Sequence, residues 1–310
     1  MIDYWHFFCF HDTIGIKIAV NGGLGLLIMG NIIAESNATA LDLLLEKVYQ
    51  DGGHDFRGYK RGTVTRRLER RLHVVGAKTY LEYMQFLDAH LEEYERLADN
   101  LTLKVSGFFR SPYSFQQVAR LVLPELVSYK RDRRQRNLRF WSTACARGEE
   151  PYSIAILLAE FLGYELRDFN TSIYATDISR HVLHEAQAGQ YSPKEIGGLS
   201  PTILENYFTY QDEGYAVGSN LRQMVNFSYF NLVSTETPPF MNLDCIFCCN
   251  VLIYLQKQLQ ERVLGMLYNS LATPGYLVLG EVETPTDNLR GRLECLDSKV
   301  KIYKKTGRTL

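Results

Sequence analysis

The chain has 310 residues, of which 46% are hydrophobic and 22% are charged, and its formal net charge is -1. This composition excludes a disordered chain and leaves room for one large domain or two ordinary ones. The near-zero charge excludes a general attraction to nucleic acid or anionic lipid, so an electrostatic partner would need a local charged patch. The 6 cysteines lack the spacing of a small secreted scaffold, which favours reduced thiols in a cytoplasm.

Residues 1–35 form the least regular part of the sequence. The segment 14–29 is apolar and rich in glycine, but Lys17 and Asn21 interrupt it, which makes it too short and too polar for a membrane span. The residues before it contain aspartates and no lysine or arginine, the reverse of a secretory signal. We therefore predict an N-terminal extension over 1–35, with Met29 as the native start.

The region 36–110 is predicted to form a small all-helical domain. Ser36 and Asn37 are suited to begin a helix that Gly52 and Gly53 end. A second helix over 63–75 places its apolar residues on one face. Further helical patterns cover 80–90 and 91–103, and a helical linker is predicted over 111–137. The second helix also carries four arginines on another side: Arg66, Arg67, Arg70 and Arg71.

From residue 138 onward, predicted strands alternate with predicted helices. This alternation predicts a mainly parallel sheet covered on both faces. The alternation of strands and helices is interrupted over 207–230 by short aromatic-rich segments with glycines at turns. This pattern favours a small antiparallel insertion. The strands are predicted at 138–143, 171–176, 243–248 and 276–279, and the helices at 151–161, 179–188 and 257–271.

The most informative stretch is FWSTACARGEEPYS, over 140–153. An apolar strand leads through a turn ending at Gly148 into a helix N-terminus, where α/β folds bind carboxylate or phosphate groups through unpaired backbone amides. Glu149 and Glu150 disfavour phosphate and favour a ligand with hydroxyls or positive charge. S-adenosylmethionine (SAM) carries hydroxyls, a sulfonium, an ammonium and a carboxylate, so we predict this cofactor.

Six ordered motifs resemble those of the chemotaxis receptor methyltransferases (the CheR type), which use SAM to methylate glutamates on bacterial chemoreceptors. Motifs in one order over roughly 250 residues are far more specific than a lone glycine pattern. The resemblance implies a helical N-terminal domain and a Rossmann-like methyltransferase domain over 138–310, with an antiparallel β insertion. The motifs are YKRGTVTRRLERRL (59–72), LTLKVSGFFR (101–110), WSTACARGEEPYSIAILL (141–158), ATDIS (175–179), NFSYFNL (226–232) and IFCCNVLIYL (246–255).

The resemblance also implies roles for individual residues. Arg110 matches an arginine at the cofactor and the substrate carboxylate, and Tyr254 matches a tyrosine beside the transferred methyl, so these form the predicted catalytic pair. From the residues alone, without the motifs, we would favour a surface arginine for Arg110 and a core aromatic for Tyr254. The alternative role of Asp177 is that of a helix N-cap. No metal site is predicted. The predicted cofactor-binding residues are Lys104, Ser106, Arg110, Glu150, Asp177, Asn231, Leu232, Cys249 and Asn250, and the predicted receptor-docking residues are Arg66, Arg67, Arg70 and Arg71.

Four residues depart from the family pattern around the predicted cofactor site. Lys104 stands where the family often has asparagine, and Gly107 stands where it often has glutamate. Arg147 stands where a small residue is usual, and Cys249 stands where an arginine is usual. The side chain of Arg147 could point to solvent or crowd the cofactor. One hypothesis is that Arg147 supplies, from across the pocket, the charge that is missing at position 249.

The predicted function is SAM-dependent protein-glutamate O-methylation, which leaves S-adenosylhomocysteine. The implied partner is the cytoplasmic helical domain of membrane chemoreceptors, and we expect a cytoplasmic monomer recruited to receptor clusters at the inner membrane without inserting into it. The alternative is a catalytically weak SAM-binding regulator, suggested by Arg147 and Cys249. Methylation of nucleic acid is disfavoured for two reasons. The arginine helix lacks interleaved aromatics for base stacking. Pro238-Pro239-Phe240 lies before the strand predicted at 243–248, whereas an Asn-Pro-Pro-aromatic motif for base methylation would lie after it.

Overall fold

The computed structural model describes residues 22–102, 106–234 and 236–307, with side chains described from Asn37 onward. Most of the predicted N-terminal extension and the predicted cofactor residue Lys104 lie outside the described residues. The chain divides into two compact units. Among the described residues, the first unit contains those up to Arg57 together with Glu69–Tyr94, and the second contains Gly58–Leu68 and those from Glu95 onward.

Four helices come first in the chain. They are α1 (Gly22–Gly52), α2 (Arg61–Val75), α3 (Tyr80–Ala89) and α4 (Glu92–Leu101). Gly53 and Gly76 follow α1 and α2 with φ of 73° and 78°, the left-handed conformation in which glycine ends a helix without a Cβ penalty. The predicted helix start at Ser36 and Asn37 is wrong, because α1 already runs through both residues. Within the described part of the chain, no helix combines the length and hydropathy that a bilayer span needs.

A buried carboxylate joins three helices in the first unit. Glu93 of α4 is 0% exposed and accepts hydrogen bonds from the Arg71 guanidinium of α2. The Tyr83 hydroxyl of α3 donates to the same carboxylate at 2.8 Å. The Arg71 cation thereby balances the charge of Glu93, and the Tyr83 hydroxyl satisfies a further hydrogen bond, so that burial of this carboxylate is less costly.

Replacing Arg71 with alanine is expected to lower the free energy of unfolding by about 3 kcal/mol, because Glu93 would keep a buried charge without its cation. Urea unfolding followed by circular dichroism measures this change. The matched control is Arg70→Ala on the exposed side of the same helix, which we expect to stay within about 0.5 kcal/mol of the parent. Equal losses for the two variants would contradict the structural role of Arg71.

The second unit contains the other helices and the strands that the structure describes. Its elements after α4 are α5 (Pro112–Gln117), a π-helical turn (Val118–Val122), α6 (Leu123–Asp132), β1 (Asn137–Ser142), α7 (Glu149–Leu162), a 3-10 turn (Gly163–Asp168), β2 (Asn170–Asp177), α8 (Arg180–Ala188), β3 (Gln190–Tyr191), α9 (Pro193–Ile196), α10 (Pro201–Tyr207), β4 (Phe208–Gln211), β5 (Gly214–Val217), α11 (Ser219–Arg222), β6 (Val225–Tyr229), β7 (Leu243–Cys248), a 3-10 turn (Leu252–Tyr254), α12 (Lys257–Ser270), β8 (Leu271–Leu279), a 3-10 turn (Asp287–Leu289), β9 (Leu293–Asp297) and β10 (Ile302–Lys305).

A seven-stranded sheet with the order β6-β2-β1-β7-β8-β10-β9 forms the centre of the second unit. The pairs from β6 to β8 are parallel, whereas β10 pairs antiparallel with both β8 and β9. Phe140 and Trp141, neighbours on β1, belong to two different buried clusters, because successive side chains of a strand point to opposite faces. The predicted α/β fold, with a mainly parallel sheet covered on both faces, is therefore confirmed.

The antiparallel insertion is a separate three-stranded sheet with the order β3-β5-β4. It begins earlier than the predicted range 207–230, because Gln190–Tyr191 already pairs with β5. The end of that range does not belong to it. Val225–Tyr229 pairs parallel with β2 instead, with Val225 beside Ile173. This short strand, whose sequence suggests a hairpin, therefore belongs to the main sheet and adds to its core.

Candidate active site

A cavity opens where the parallel strands of the second unit end. The strand order reverses beside β1, which has β2 on one side and β7 on the other. Ligands of open α/β sheets bind at the carboxyl ends of the strands at such a reversal. The cavity is lined by residues from these ends, namely Thr143 after β1, Asp177 of β2, Asn231 after β6, Cys249 after β7 and Gly280 after β8.

The structure brings every described residue of the predicted catalytic and cofactor sets to this cavity. Their convergence requires the fold, because the residues are widely separated in the chain. They are Ser106, Arg110, Glu150, Asp177, Asn231, Leu232, Cys249, Asn250 and Tyr254.

The turn between β1 and α7 depends on left-handed backbone. Ala146 has a φ of 46° and Gly148, the N-cap of α7, has a φ of 91°. A Cβ at Gly148 would lie 3.0 Å from the Cβ of Ala186, so close packing as well as conformation favours glycine there. This turn places the start of α7 beside the cavity.

Asp177 lies at the end of β2 and holds two neighbouring segments. Its Oδ2 accepts a hydrogen bond from the amide of Ala146 at 3.0 Å, and its Oδ1 accepts one from the amide of Ser179 at 2.9 Å. Ser179 is the N-cap of α8, and its side chain accepts a hydrogen bond from Val182. The N-cap is therefore Ser179 and not Asp177, whose carboxylate supports the start of α8 from outside the helix and also lines the cavity.

Glu150 is the carboxylate of the α7 N-terminus that faces the cavity. Its Oε1 accepts a hydrogen bond from the Ser142 hydroxyl at 2.6 Å. Burial raises the pKa of Glu150 to about 7, and the charge of Glu283 adds to the rise. Hydrogen bonds with Ser142 and Cys249 and the positive charge of Arg110 act to lower the pKa of Glu150. The protonation state of Glu150 consequently changes near neutral pH.

Glu149 and Ser153, one turn apart on α7, hold the segment Ser106–Arg110. Glu149 is 4% exposed, and burial raises its pKa, against a hydrogen bond with the Ser106 side chain. The amide of Phe109 donates to Ser153 Oγ at 2.9 Å, and the Ser153 hydroxyl donates to the carbonyl oxygen of Glu149 at 2.6 Å. Phe109 has a φ of 47°, which turns the chain sharply just before Arg110. Arg110 thus reaches the cavity from a segment tied to α7.

The loop after β7 carries Asn250 and Tyr254. The carbonyl oxygen of Tyr254 accepts a hydrogen bond from the amide of Lys60 at 2.8 Å. Tyr59 forms an antiparallel bridge with Leu255 and lines the cavity. Sequence reasoning missed Tyr59 as a site residue, because no local pattern links it to a loop almost two hundred positions away.

Arg147 is not among the residues that line the cavity. Its guanidinium pairs with Glu195 and lies 3.2 Å from Glu185, and its carbonyl oxygen accepts a hydrogen bond from the Tyr191 hydroxyl at 2.7 Å. The hypothesis that Arg147 supplies the charge missing at Cys249 is therefore wrong. The guanidinium charge of Arg147 is instead paired with two carboxylates, Glu185 of α8 and Glu195 of α9.

The four arginines of α2 divide into two pairs. Arg66 and Arg70 are exposed. Arg67 is half-buried and donates to the carbonyl oxygen of Asn100 at 2.6 Å, and Arg71 belongs to the buried ion pair of the first unit. The exposed part of the predicted docking surface therefore consists of Arg66 and Arg70.

Comparisons with known proteins agree with this architecture. Residues 39–102 match the family described as "CheR methyltransferase, all-alpha domain", and residues 104–302 match "CheR methyltransferase, SAM binding domain". The chemotaxis protein methyltransferase of Klebsiella aerogenes is 36% identical over 242 residues, which cover 76% of this chain and 80% of that protein. The protein of the same name from Borreliella burgdorferi is 32% identical over 251 residues, with coverage of 80% and 89%.

Two further similarities are partial. An uncharacterized 104.1 kDa protein of Rhodobacter capsulatus is 34% identical over 246 residues, which are 79% of this chain but 25% of that protein. Among solved structures, an S-adenosylmethionine-dependent methyltransferase from Mesorhizobium loti is 14% identical, covers 54% of this chain and 52% of that chain, and has a TM-score of 0.28. That structural likeness is too weak to add to the assignment. The two family matches extend from residue 39 to residue 302, and the chain therefore belongs to the CheR methyltransferase family, with SAM as its cofactor.

Proposed function

We propose that this protein transfers a methyl group from SAM to glutamate side chains of bacterial chemoreceptors and so forms glutamate methyl esters. The observation that carries the proposal is that Arg110 and Tyr254 line the same cavity as the carboxylates Glu150 and Asp177. The relatives named chemotaxis protein methyltransferases support a chemotaxis protein as the acceptor.

Methylation of a glutamate side chain requires little acid–base catalysis from the protein. SAM supplies a methyl group that its sulfonium activates. A glutamate side chain, with a reference pKa of about 4.3, is already ionised at neutral pH, so no residue has to remove a proton. Alignment of the carboxylate and exclusion of water remain the tasks of the protein. We assign the alignment to Arg110, because a guanidinium binds a carboxylate through two parallel hydrogen bonds, and a contact beside the methyl group to the Tyr254 hydroxyl.

The cavity residues suit SAM. We expect Asp177, at the end of β2, to accept hydrogen bonds from ribose hydroxyls. Glu150 offers a negative charge to a cationic ligand, and the buried side chain of Leu232 offers an apolar surface beside the adenine. The other residues that we propose for cofactor binding are Lys104, Ser106, Arg110, Asn231, Cys249 and Asn250.

Affinity for SAM is expected to fall as the pH drops through the pKa of Glu150. Burial raises that pKa to about 7, so the carboxylate that attracts the cationic cofactor is present above this pH and is lost below it. Between pH 8 and pH 6 the dissociation constant should rise about tenfold, as measured by isothermal titration calorimetry.

The control for this pH dependence is Glu150→Gln, which removes the titrating group and keeps the side-chain size. The variant should bind SAM more weakly at pH 8, with a flat profile down to pH 6. A variant profile as steep as that of the parent would assign the pH dependence to another group.

We further propose that the acceptor is the cytoplasmic helical domain of a membrane chemoreceptor. The exposed side chains of Arg66 and Arg70 on α2 give a cationic surface for an acidic helical bundle. The protein would then act as a monomer from the cytoplasmic side, at receptor clusters of the inner membrane, without inserting into the bilayer.

A catalytically weak SAM-binding regulator is the second candidate function. Cys249 favours it, since this cavity residue offers a thiol where the family usually has an arginine. A lost charge-assisted hydrogen bond would weaken cofactor binding by about 1.5–3 kcal/mol. A regulator would bind SAM without turnover, whereas an enzyme would also release S-adenosylhomocysteine.

Transfer of labelled methyl groups from SAM to receptor-containing membranes tests the proposed function. We expect label in the receptor band that is released by mild base, because methyl esters hydrolyse there and N-methyl groups do not. Membranes without chemoreceptors are the control. Cofactor binding without receptor label would favour the regulator, and base-stable label would exclude an ester.

A further inference from the structure

A buried carboxylate outside the sequence motifs binds the loop that carries Asn250 and Tyr254. Glu283 follows β8 by a short turn and is 4% exposed. Its Oε2 accepts hydrogen bonds from the amides of Gly280 at 2.7 Å and Asn250 at 2.9 Å. Its Oε1 accepts one from the amide of Ile253 at 3.3 Å. One carboxylate therefore joins the loop after β8 to the loop after β7.

The local backbone is adapted to this contact. A Cβ at Gly280 would lie 2.7 Å from Glu283 Oε2 and 2.9 Å from the nitrogen of Asn250, so only glycine permits the close approach without displacement. Asn250 has a φ of 60°, a left-handed conformation that persists where the surroundings hold it. The hydrogen bond from Asn250 to the Glu283 carboxylate supplies such a restraint.

We propose that Glu283 is a positioning residue, which fixes the loop from Asn250 to Tyr254 in the geometry that the cofactor and the acceptor require. This inference rests on the proposed roles of Asn250 and Tyr254. Glu283 is not among the residues that line the cavity, whereas Asn250, Val251 and Tyr254 are. Glu283 consequently acts through the loop rather than by touching a ligand.

The same carboxylate also influences Glu150. The negative charge of Glu283 raises the pKa of Glu150, in addition to burial, while Arg110 lowers it. Removing the charge at 283 should therefore lower the pKa of Glu150. Glu150 also interacts with the thiols of Cys145, Cys245, Cys248 and Cys249, whose pKa values burial raises, so they stay neutral near pH 7.

Hydrogen exchange of the full chain without cofactor tests the positioning role directly. In Glu283→Gln, one amide oxygen remains as an acceptor, but an NH2 group now faces a backbone donor. Exchange of the Asn250 and Ile253 amides should become about tenfold faster, because each loses a bond to a charged acceptor. The matched control is Glu281→Gln, the same change at an exposed position of the same turn, which should leave both amides unchanged.

A second variant tests the contact from its other side. Gly280→Ala keeps the carboxylate but inserts a methyl group between Glu283 and Asn250, so the Asn250 amide should again exchange faster. If Glu283→Gln does not fold, the result for Gly280→Ala decides. Unchanged exchange at Asn250 and Ile253 in a folded variant of either kind would overturn the proposal.

Titration with SAM at several pH values gives a readout that loss of stability alone would not move. In Glu283→Gln, affinity at pH 8 should fall about tenfold, and the midpoint of the pH dependence should move to lower pH. A lower melting temperature with unchanged affinity and midpoint would assign a purely structural role and overturn the proposal. These measurements need no receptor, so failure of receptor methylation would count against the proposed function and not against the role of Glu283.

Discussion

Arg110→Lys is expected to lower kcat for receptor methylation by about a hundredfold, the usual loss when one preorganised donor at a reacting centre is removed. Lysine keeps the positive charge but cannot form two parallel hydrogen bonds to one carboxylate. The acceptor would then remain bound yet turn away from the methyl group. Initial rates with labelled SAM, at saturating cofactor and receptor, measure this loss.

The affinity for SAM should fall less than kcat does in Arg110→Lys. Charge is retained near Glu150, so the dissociation constant of SAM for Arg110→Lys should rise by less than about tenfold. Arg120→Lys, the same change at an exposed position outside the cavity, should leave both quantities unchanged. If kcat stays at the parental value, Arg110 does not align the acceptor. A loss of SAM affinity with kcat at the parental value would restrict Arg110 to cofactor binding.

The parts of the fold that could be predicted from sequence are those with a strong local pattern. The strand predicted at 243–248 is β7 (Leu243–Cys248), and the helix predicted at 151–161 lies within α7 (Glu149–Leu162). A fully buried apolar run and a long helical period each identify their element without knowledge of its partners. A local pattern could not distinguish β6 from one strand of a hairpin. Its pairing with β2, which the local sequence does not show, makes β6 a strand of the main sheet.

The C-terminal strands show a similar limit. Leu293–Asp297 and Ile302–Lys305 form β9 and β10, which no prediction included. They are short and carry charged residues, so their local pattern is that of a solvated loop. Antiparallel pairing of β10 with β8 makes them strands, and that pairing is a property of the whole sheet.

The candidate site likewise contains residues that could be placed from the sequence and contacts that could not. Asp177 directly follows the strand predicted at 171–176 and could be placed at the carboxyl edge of the sheet from that pattern, whereas the placement of Asn250 comes from the family resemblance. Contacts between distant charged groups could not be placed. Arg71, predicted at the docking surface, binds Glu93, and Arg147, whose direction the sequence left open between solvent and the cofactor, binds the carboxylates of α8 and α9.

Reversal of charge in Arg66→Glu/Arg70→Glu is expected to lower kcat/KM for receptor methylation by about a hundredfold at low salt, because electrostatic steering changes association rates by 10 to 10³. The two side chains are exposed and one helical turn apart on α2. Reversal turns an attraction for an acidic receptor bundle into a repulsion, and leaves the cavity untouched. Affinity for SAM should therefore stay at the parental value in a calorimetric titration.

Salt and a matched control distinguish docking from a general loss of activity. The Debye length is about 10 Å at 0.1 M salt and about 3 Å at 1 M, so the difference between parent and variant should shrink as salt rises. Arg120→Glu/Arg134→Glu makes the same change in net charge at exposed positions of the second unit and should retain parental kcat/KM. Equal losses in the two double variants would reduce the effect to net charge, and a parallel loss of SAM affinity in Arg66→Glu/Arg70→Glu would place the damage in the cofactor site. A deficit confined to receptor methylation and relieved by salt is the result that electrostatic docking through α2 requires.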